Sequence, residues 1–87
     1  MKLLWNDEAW DEYIEWQSQD RKTLKRINNL IQSISRNGYD CIGKAEPLKG
    51  NLSGYWSVRI DSKNRIVFRI NNDEVEIIQC KNHYSSK

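Results

Sequence analysis

The sequence predicts an α+β fold: a short N-terminal strand, then a two-helix hairpin packed on one face of a twisted antiparallel sheet. Three observations carry this expectation. Apolar residues recur with helical spacing as far as Asn37, the spacing changes to strict alternation after Asn51, and turn-forming residues punctuate the change. The 87 residues are expected to form one domain, 1–87, and a domain of that size needs a compact, aromatic-rich core. Four Trp, four Tyr and one Phe meet that need without a disulfide or a metal.

The elements follow in order. Lys2, Leu3, Leu4 and Trp5 read as the first strand. Asn6 is a good helix N-cap, with Asp7 and Glu8 in the first turn, where the helix dipole favours acids. Trp10, Tyr13, Ile14 and Gln17 then form one stripe, with Glu8, Asp11, Glu12 and Glu15 opposite. This spacing assigns Trp5, Trp10 and Trp56 to the core and leaves Trp16 partly exposed at a partner surface. A second helix starts near Asp20, buries Leu24, Ile27, Leu30, Ile31 and Ile34, turns its basic residues to the far face and stops at Asn37-Gly38. Residues 39–51, which hold the only proline, are expected to be irregular.

Beyond them Trp56, Val58 and Ile60 alternate with Tyr55, Ser57 and Arg59, and Ile66, Phe68 and Ile70 alternate with Arg65, Val67 and Arg69. A three-residue loop with Asn64 in the left-handed conformation pairs Asp61 with Arg65, Ile60 with Ile66 and Val58 with Phe68. A one-residue slip would bury arginines, so parity is fixed. Arg59, Arg65 and Arg69 then share a partly open face with Ser57.

Charge is unevenly spread. Five acids and no bases lie between Asp7 and Glu15, whereas eight bases face five acids from Gly43 onward. The basic half suits an anionic partner. Cys41 and Cys80 have no CxxC spacing and read as reduced thiols of a cytoplasmic protein, with a bridge between them left open by the sequence. No segment approaches the apolar length of a membrane span, so no membrane is expected.

The lone histidine, His83, closes the last apolar strand and is followed by Tyr84. One imidazole, a loop carboxylate at Glu46 and several cations are the groups that metal-free RNA cleavage requires. A base takes the 2′-hydroxyl proton, a cation steadies the phosphorane, and an acid protonates the leaving 5′-oxygen. One His and no spaced carboxylates give no site for zinc or a two-metal centre, and no cofactor is expected. A cysteine nucleophile has little support, because Cys80 and His83 lie on the same or an adjacent strand end. The plainer alternatives are a surface imidazole at a chain end and a solvated loop carboxylate.

The run Glu46-Pro-Leu-Lys49, then Asn51-Leu-Ser-Gly-Tyr-Trp-Ser57, Arg59-Ile60, Arg65 and His83-Tyr84 closely resembles the YoeB toxins of the RelE superfamily. Trp5, the Trp10-Asp-Glu-Tyr13 stretch and Trp16 extend the resemblance over essentially the whole chain. It implies a RelE-like, microbial-ribonuclease-like fold and a toxin of a type II toxin–antitoxin system that cuts mRNA in the ribosomal A site. It implies Glu46 as general base, His83 as general acid and Arg65 as stabiliser of the phosphorane. Lys49 and Arg59 would hold phosphates, and Tyr84 would position the nucleotide. The implied partners are a cognate antitoxin of the YefM/Phd type and the 70S ribosome with its mRNA and ribosomal RNA. A homodimer and a toxin–antitoxin hetero-oligomer both stay open, as do a non-enzymatic RNA-binding inhibitor and a toxin with a protein target. Three departures stand out: Val58 where relatives often carry a second arginine, Ala45 in place of a common proline, and the extension Ser85-Ser86-Lys87.

Overall fold

A computed structural model describes residues 1–81. Strand β1 (Lys2–Trp5) leads into helices α1 (Asp7–Trp16) and α2 (Arg21–Asn37), and strands β2 (Glu46–Pro47), β3 (Trp56–Arg59), β4 (Arg65–Asn71) and β5 (Glu74–Gln79) follow. The sheet order is β1-β5-β4-β3-β2. The α+β class holds, with one addition: β1 pairs parallel to β5, so the sheet is mixed. The segment expected to be irregular contains β2 and two short 3-10 turns, Gly38–Asp40 and Gly50–Leu52.

Local chemistry starts both helices where expected. The Asn6 side chain accepts from Ala9 N–H at 2.8 Å. Asp20 accepts from Lys22 N–H, Thr23 N–H and the Thr23 hydroxyl, the last at 2.7 Å. Thr23 side-chain bonding, ahead of its backbone N–H, holds the Asp20 carboxyl below its ordinary value. Gly38 ends α2 at φ 61°, a backbone that side chains rarely tolerate, and a Cβ there would lie 3.3 Å from Ile70 Cδ1.

The core lies between α2 and the sheet: Ile27, Leu30 and Ile34 pack with Val58, Ile66, Phe68, Val75 and Ile77, all fully buried. Gly43 permits this approach, since a Cβ on it would meet Leu30 Cδ2 at 3.0 Å. The α1 stripe is corrected. Ala9, Glu12 and Trp16 face inward, while Trp10 and Ile14 are 46% and 48% exposed. Trp16 is therefore core, at 6% exposure, and Trp10 is not. The reason is Glu12: its carboxylate accepts from Cys80 N–H at 2.8 Å, so an acidic position can point inward.

The β3–β4 register is also corrected. Arg59 pairs with Arg65, Val58 with Ile66 and Trp56 with Phe68, a shift of two residues from the expected pairing. Asp61 causes it. Its Oδ1 accepts from Lys63 N–H (2.9 Å) and Asn64 N–H (2.8 Å), closing a wider turn. Asn64 has no need of a left-handed backbone and is not among the positive-φ residues. Burial pushes the Asp61 carboxyl up, but these hydrogen bonds outweigh it and hold the group below its ordinary value. A shift of two preserves parity, so the arginines keep their face. The Asn72-Asp73 turn takes left-handed backbone at both residues, φ 52° and 64°, as a tight hairpin requires.

Truncating Ile27, which is wholly buried between helix and sheet, removes packing that no neighbour can replace. Ile27→Ala is expected to lower unfolding free energy by about 2–5 kcal/mol in urea titration, with the cooperative transition retained.

Candidate active site

The hairpin brings Arg59 and Arg65 opposite each other, and β2 adds its short edge by pairing Glu46 with Ser57. Together with Arg26, Gly43 and Lys44, Glu46 and the two arginines line an open cleft of about 380 Å³. Glu46 Oε1 lies 4.0 Å from Arg65 Nη1, at the limit of an ion pair. The Glu46 side chain is 70% exposed and that of Arg65 22%. An exposed pair of this kind adds little stability. Its geometry leaves the carboxylate open to a ligand. Arg65 is better anchored, since its Nη1 also donates to Ser57 Oγ at 3.3 Å, and Ser57 is buried.

The expected residues divide into three groups. Glu46, Arg59 and Arg65 converge in the cleft. Lys49 is exposed at the head of the 3-10 turn Gly50–Leu52 and is not one of the cleft-lining residues. His83 and Tyr84 lie outside the described residues. Arg69 shares the face but not the cleft: its Nε donates to Glu76 Oε1 at 2.7 Å, and its guanidinium lies 4.9 Å from the Tyr55 ring centroid. Hydrogen bonding to Glu76, then that carboxylate's charge, pushes the Arg69 guanidinium further up.

Two cations of the cleft, Arg26 and Lys44, were not among the expected site residues. Arg26 was expected on the far face of α2. Instead its Nε and Nη2 donate to the carbonyls of Ile60 and Arg59, each at 3.0 Å, so the helix holds the end of β3 from above. The signal was present: Arg26 is four residues before Leu30, at the margin of the buried stripe. Lys44 enters through backbone geometry, with φ 54° next to Gly43 at φ 90°, and no pattern in the sequence announces that turn.

The far end of the site is the exit of β5. Lys81 C=O accepts from Arg65 N–H at 3.4 Å, so the chain leaves the described residues beside the cleft arginine. Among the described residues no three His, Cys, Asp or Glu side chains cluster to hold a metal. No helix among them is long and apolar enough to cross a membrane.

This sheet, with its helices on one face, is the fold of RelE-like toxins: the toxin–antitoxin complex RelBE2 from Mycobacterium tuberculosis superposes with a TM-score of 0.69 at 18% identity, covering 93% of this chain and 95% of that one. The relationship is closer within that class. The model of the YoeB-like toxin of bacterial type II toxin–antitoxin systems matches residues 5–84, and the chain belongs to that family. It is similar to the toxin YoeB of Escherichia coli K12, 45% identical over 97% of this chain and 100% of that protein. The toxin YoeB of Synechocystis is 50% identical over 97% of this chain and 98% of that protein. Among solved structures, a YoeB/ParE toxin from Agrobacterium tumefaciens superposes with a TM-score of 0.90 at 43% identity, covering 97% and 100% of the two chains. The YoeB–YefM complex from Staphylococcus aureus does so at 0.87 and 39%, covering 97% and 98%.

The thiols are poorly placed for nucleophilic work. Desolvation, followed by the charge of Glu12, pushes the wholly buried Cys80 thiol up to about 12, and desolvation raises that of buried Cys41. The unfolded chain ionises Cys80 near its ordinary 9.0 while the fold keeps the proton, so stability is lost as pH climbs from there towards about 12. The slope from this thiol reaches about 1.4 kcal/mol per pH unit, and alkaline denaturation of Cys80→Ala should be shallower by that amount. A thiol reagent at pH 7 should label neither cysteine until denaturant is added.

Proposed function

We propose that this chain is a ribosome-dependent mRNA endoribonuclease that inhibits translation by cleaving in the A site. The observation that carries the reading is the cleft itself, in which one carboxylate, Glu46, stands among Arg26, Lys44, Arg59 and Arg65. Glu46 takes the proton of the 2′-hydroxyl as the 2′-oxygen attacks phosphorus. Arg65 steadies the charge that gathers on the pentavalent phosphorane. The bond from phosphorus to the 5′-oxygen then breaks, and His83 gives that oxygen its proton. The products are a 2′,3′-cyclic phosphate and a 5′-hydroxyl. Arg59 and Lys49 hold the scissile and neighbouring phosphates, and Tyr84 positions the nucleotide.

Two features support these roles. The carboxylate is open to solvent while the arginine beside it is fixed by Ser57, the arrangement wanted for a mobile base and a rigid cation. The chain leading to His83 leaves β5 bonded to Arg65, so an acid carried by that segment starts from the cleft margin. All four cations serve phosphate and attract RNA in general. The ribosome supplies what the open cleft lacks, namely a fixed substrate conformation. The cognate partner is an antitoxin of the YefM/Phd type, as in the Staphylococcus aureus complexes, one of them a heterotetramer. Its acidic or amphipathic segment covers the basic cleft and holds the toxin silent in a cytoplasmic hetero-oligomer. A YoeB dimer from the same organism makes a homodimer the form to test for the isolated chain.

Primer extension on mRNA translated by purified ribosomes is the test. His83→Ala and Glu46→Gln should each slow cleavage by roughly 10²–10⁴-fold, the worth of one acid or base. A 2′-deoxy nucleotide at the cut position should abolish cleavage, because the attacking hydroxyl is gone. If His83→Ala and wild type both arrest growth with mRNA left uncut, the chain inhibits translation by binding alone.

A further inference from the structure

The two residues that lead into the C-terminal segment are gripped from both sides. Helix α1 supplies both partners of the Cys80 backbone: Glu12 accepts from its N–H at 2.8 Å, and Trp16 Nε1 donates to its C=O at 2.8 Å. From the other side Arg65 N–H bonds the Lys81 carbonyl. The Lys81 ammonium pairs with Glu15 and lies 5.5 Å over the Trp16 ring. The arrangement has a cost. Glu12 is 9% exposed, and a buried carboxylate is tolerated only when its hydrogen bonds are made. An apolar side chain would pack α1 on the sheet more cheaply. What Glu12 and Trp16 hold is the backbone of Cys80, one residue past Gln79, the last residue of β5.

A bulge in β5 aims that backbone. Val67 pairs with Gln79 and Phe68 with Ile77, so Ile78 is the extra residue. The alternation that buries Val75 and Ile77 then resumes at Cys80 rather than Gln79.

We propose that Glu12 and Trp16 are positioning residues for the general acid: they fix the point from which the C-terminal segment departs and so set where His83 meets the cleft. The inference rests on the reading of His83 as that acid. His83 lies three residues beyond Cys80, a chain span of at most roughly 10 Å from a backbone that α1 holds fixed. Catalytic geometry is sensitive on that scale, where a misplacement of about 1 Å costs as much as ~10²-fold in rate.

The experiment uses purified toxin on ribosomes carrying mRNA in the A site, under single-turnover conditions. Trp16→Phe removes the indole N–H and keeps most of the ring's packing. It should slow cleavage about 10–100-fold while ribosome affinity stays within about twofold. A second mRNA carries sulfur in place of the bridging 5′-oxygen at the cut, and its thiolate leaves without an acid. On that substrate Trp16→Phe and His83→Ala should both approach the wild-type rate. A Trp16→Phe defect that sulfur does not restore, or full activity on ordinary mRNA, overturns the positioning role. A His83→Ala defect that sulfur does not restore, or no defect at all, overturns the acid assignment instead. If Trp16→Phe melts before assay, the pair Glu12→Gln and Glu12→Ala replaces it. The Gln amide oxygen still accepts from Cys80 N–H, so Gln should cleave at least about tenfold faster than Ala on ordinary mRNA, with the gap closed by sulfur. Equal rates on ordinary mRNA, or a gap that sulfur leaves open, overturn the proposal.

Discussion

Arg59 and Arg65 stand directly opposite each other across β3 and β4, and the rest of the site depends on that opposition. Like charges directly opposite across strands destabilise a sheet, where single cross-strand pairs act on a scale of roughly 0.2–1 kcal/mol. The opposite face of the same hairpin overrules them. Val58 and Ile66 are paired and fully buried, as is Phe68 beside Trp56, and each such side chain contributes about 1.5–3 kcal/mol on leaving water. The core wins by several-fold, and the arginines are held together as a consequence. Glu46, brought in by the two-residue strand β2, and Ser57 beneath Arg65 give the crowded charges partners without neutralising the cleft. Arg26 adds a further constraint by tying α2 to the carbonyls at the end of β3.

The same logic governs the other end of the sheet. Polar groups at α1 reach beyond one another: Asn6 caps the helix and Glu12 and Trp16 hold the Cys80 backbone, while the Glu15 carboxylate pairs with the Lys81 ammonium. The acidic run that suggests a solvated face is therefore partly a set of hydrogen-bond acceptors aimed at the exit of β5. Trp10, displaced from that face, clusters with Trp5 and Tyr13, which pack against the core, at ring separations of 4.8–5.7 Å. Burial of Cys80 among these groups makes it part of the anchor and removes its thiol from chemistry.

Membership of the YoeB-like family fits this division of labour. The fold is shared with RelE-like toxins of low identity, which shows how little of the sequence the scaffold requires. On that scaffold the site is built by side chains: a carboxylate among cations, and the α1 residues that hold the exit of β5. Val58 illustrates the separation. It is a wholly buried partner of Ile66 on the face away from the cleft, whereas its neighbour Arg59 lines the cleft.

By itself the sequence determined both helices with their caps and every strand but β2, because helical spacing, alternation and capping are local. It placed Arg59, Arg65 and Arg69 on one face for the same reason, since parity survives the two-residue error in the predicted register. Resemblance pointed to Glu46, whose convergence with the two arginines the fold then displayed. Only the tertiary structure decided the parallel pairing of β1, the wide turn built on Asp61, the inward turn of Glu12 and Trp16, and the approach of Arg26 and Lys44 to the cleft. Apart from the Asp61 turn, whose local hydrogen bonds compete with the tighter loop that the pattern suggests, each of these depends on a contact between residues far apart along the chain or on a backbone torsion that composition does not encode. A buried glutamate looks polar and outward until the N–H it serves, sixty-eight residues away, is in view.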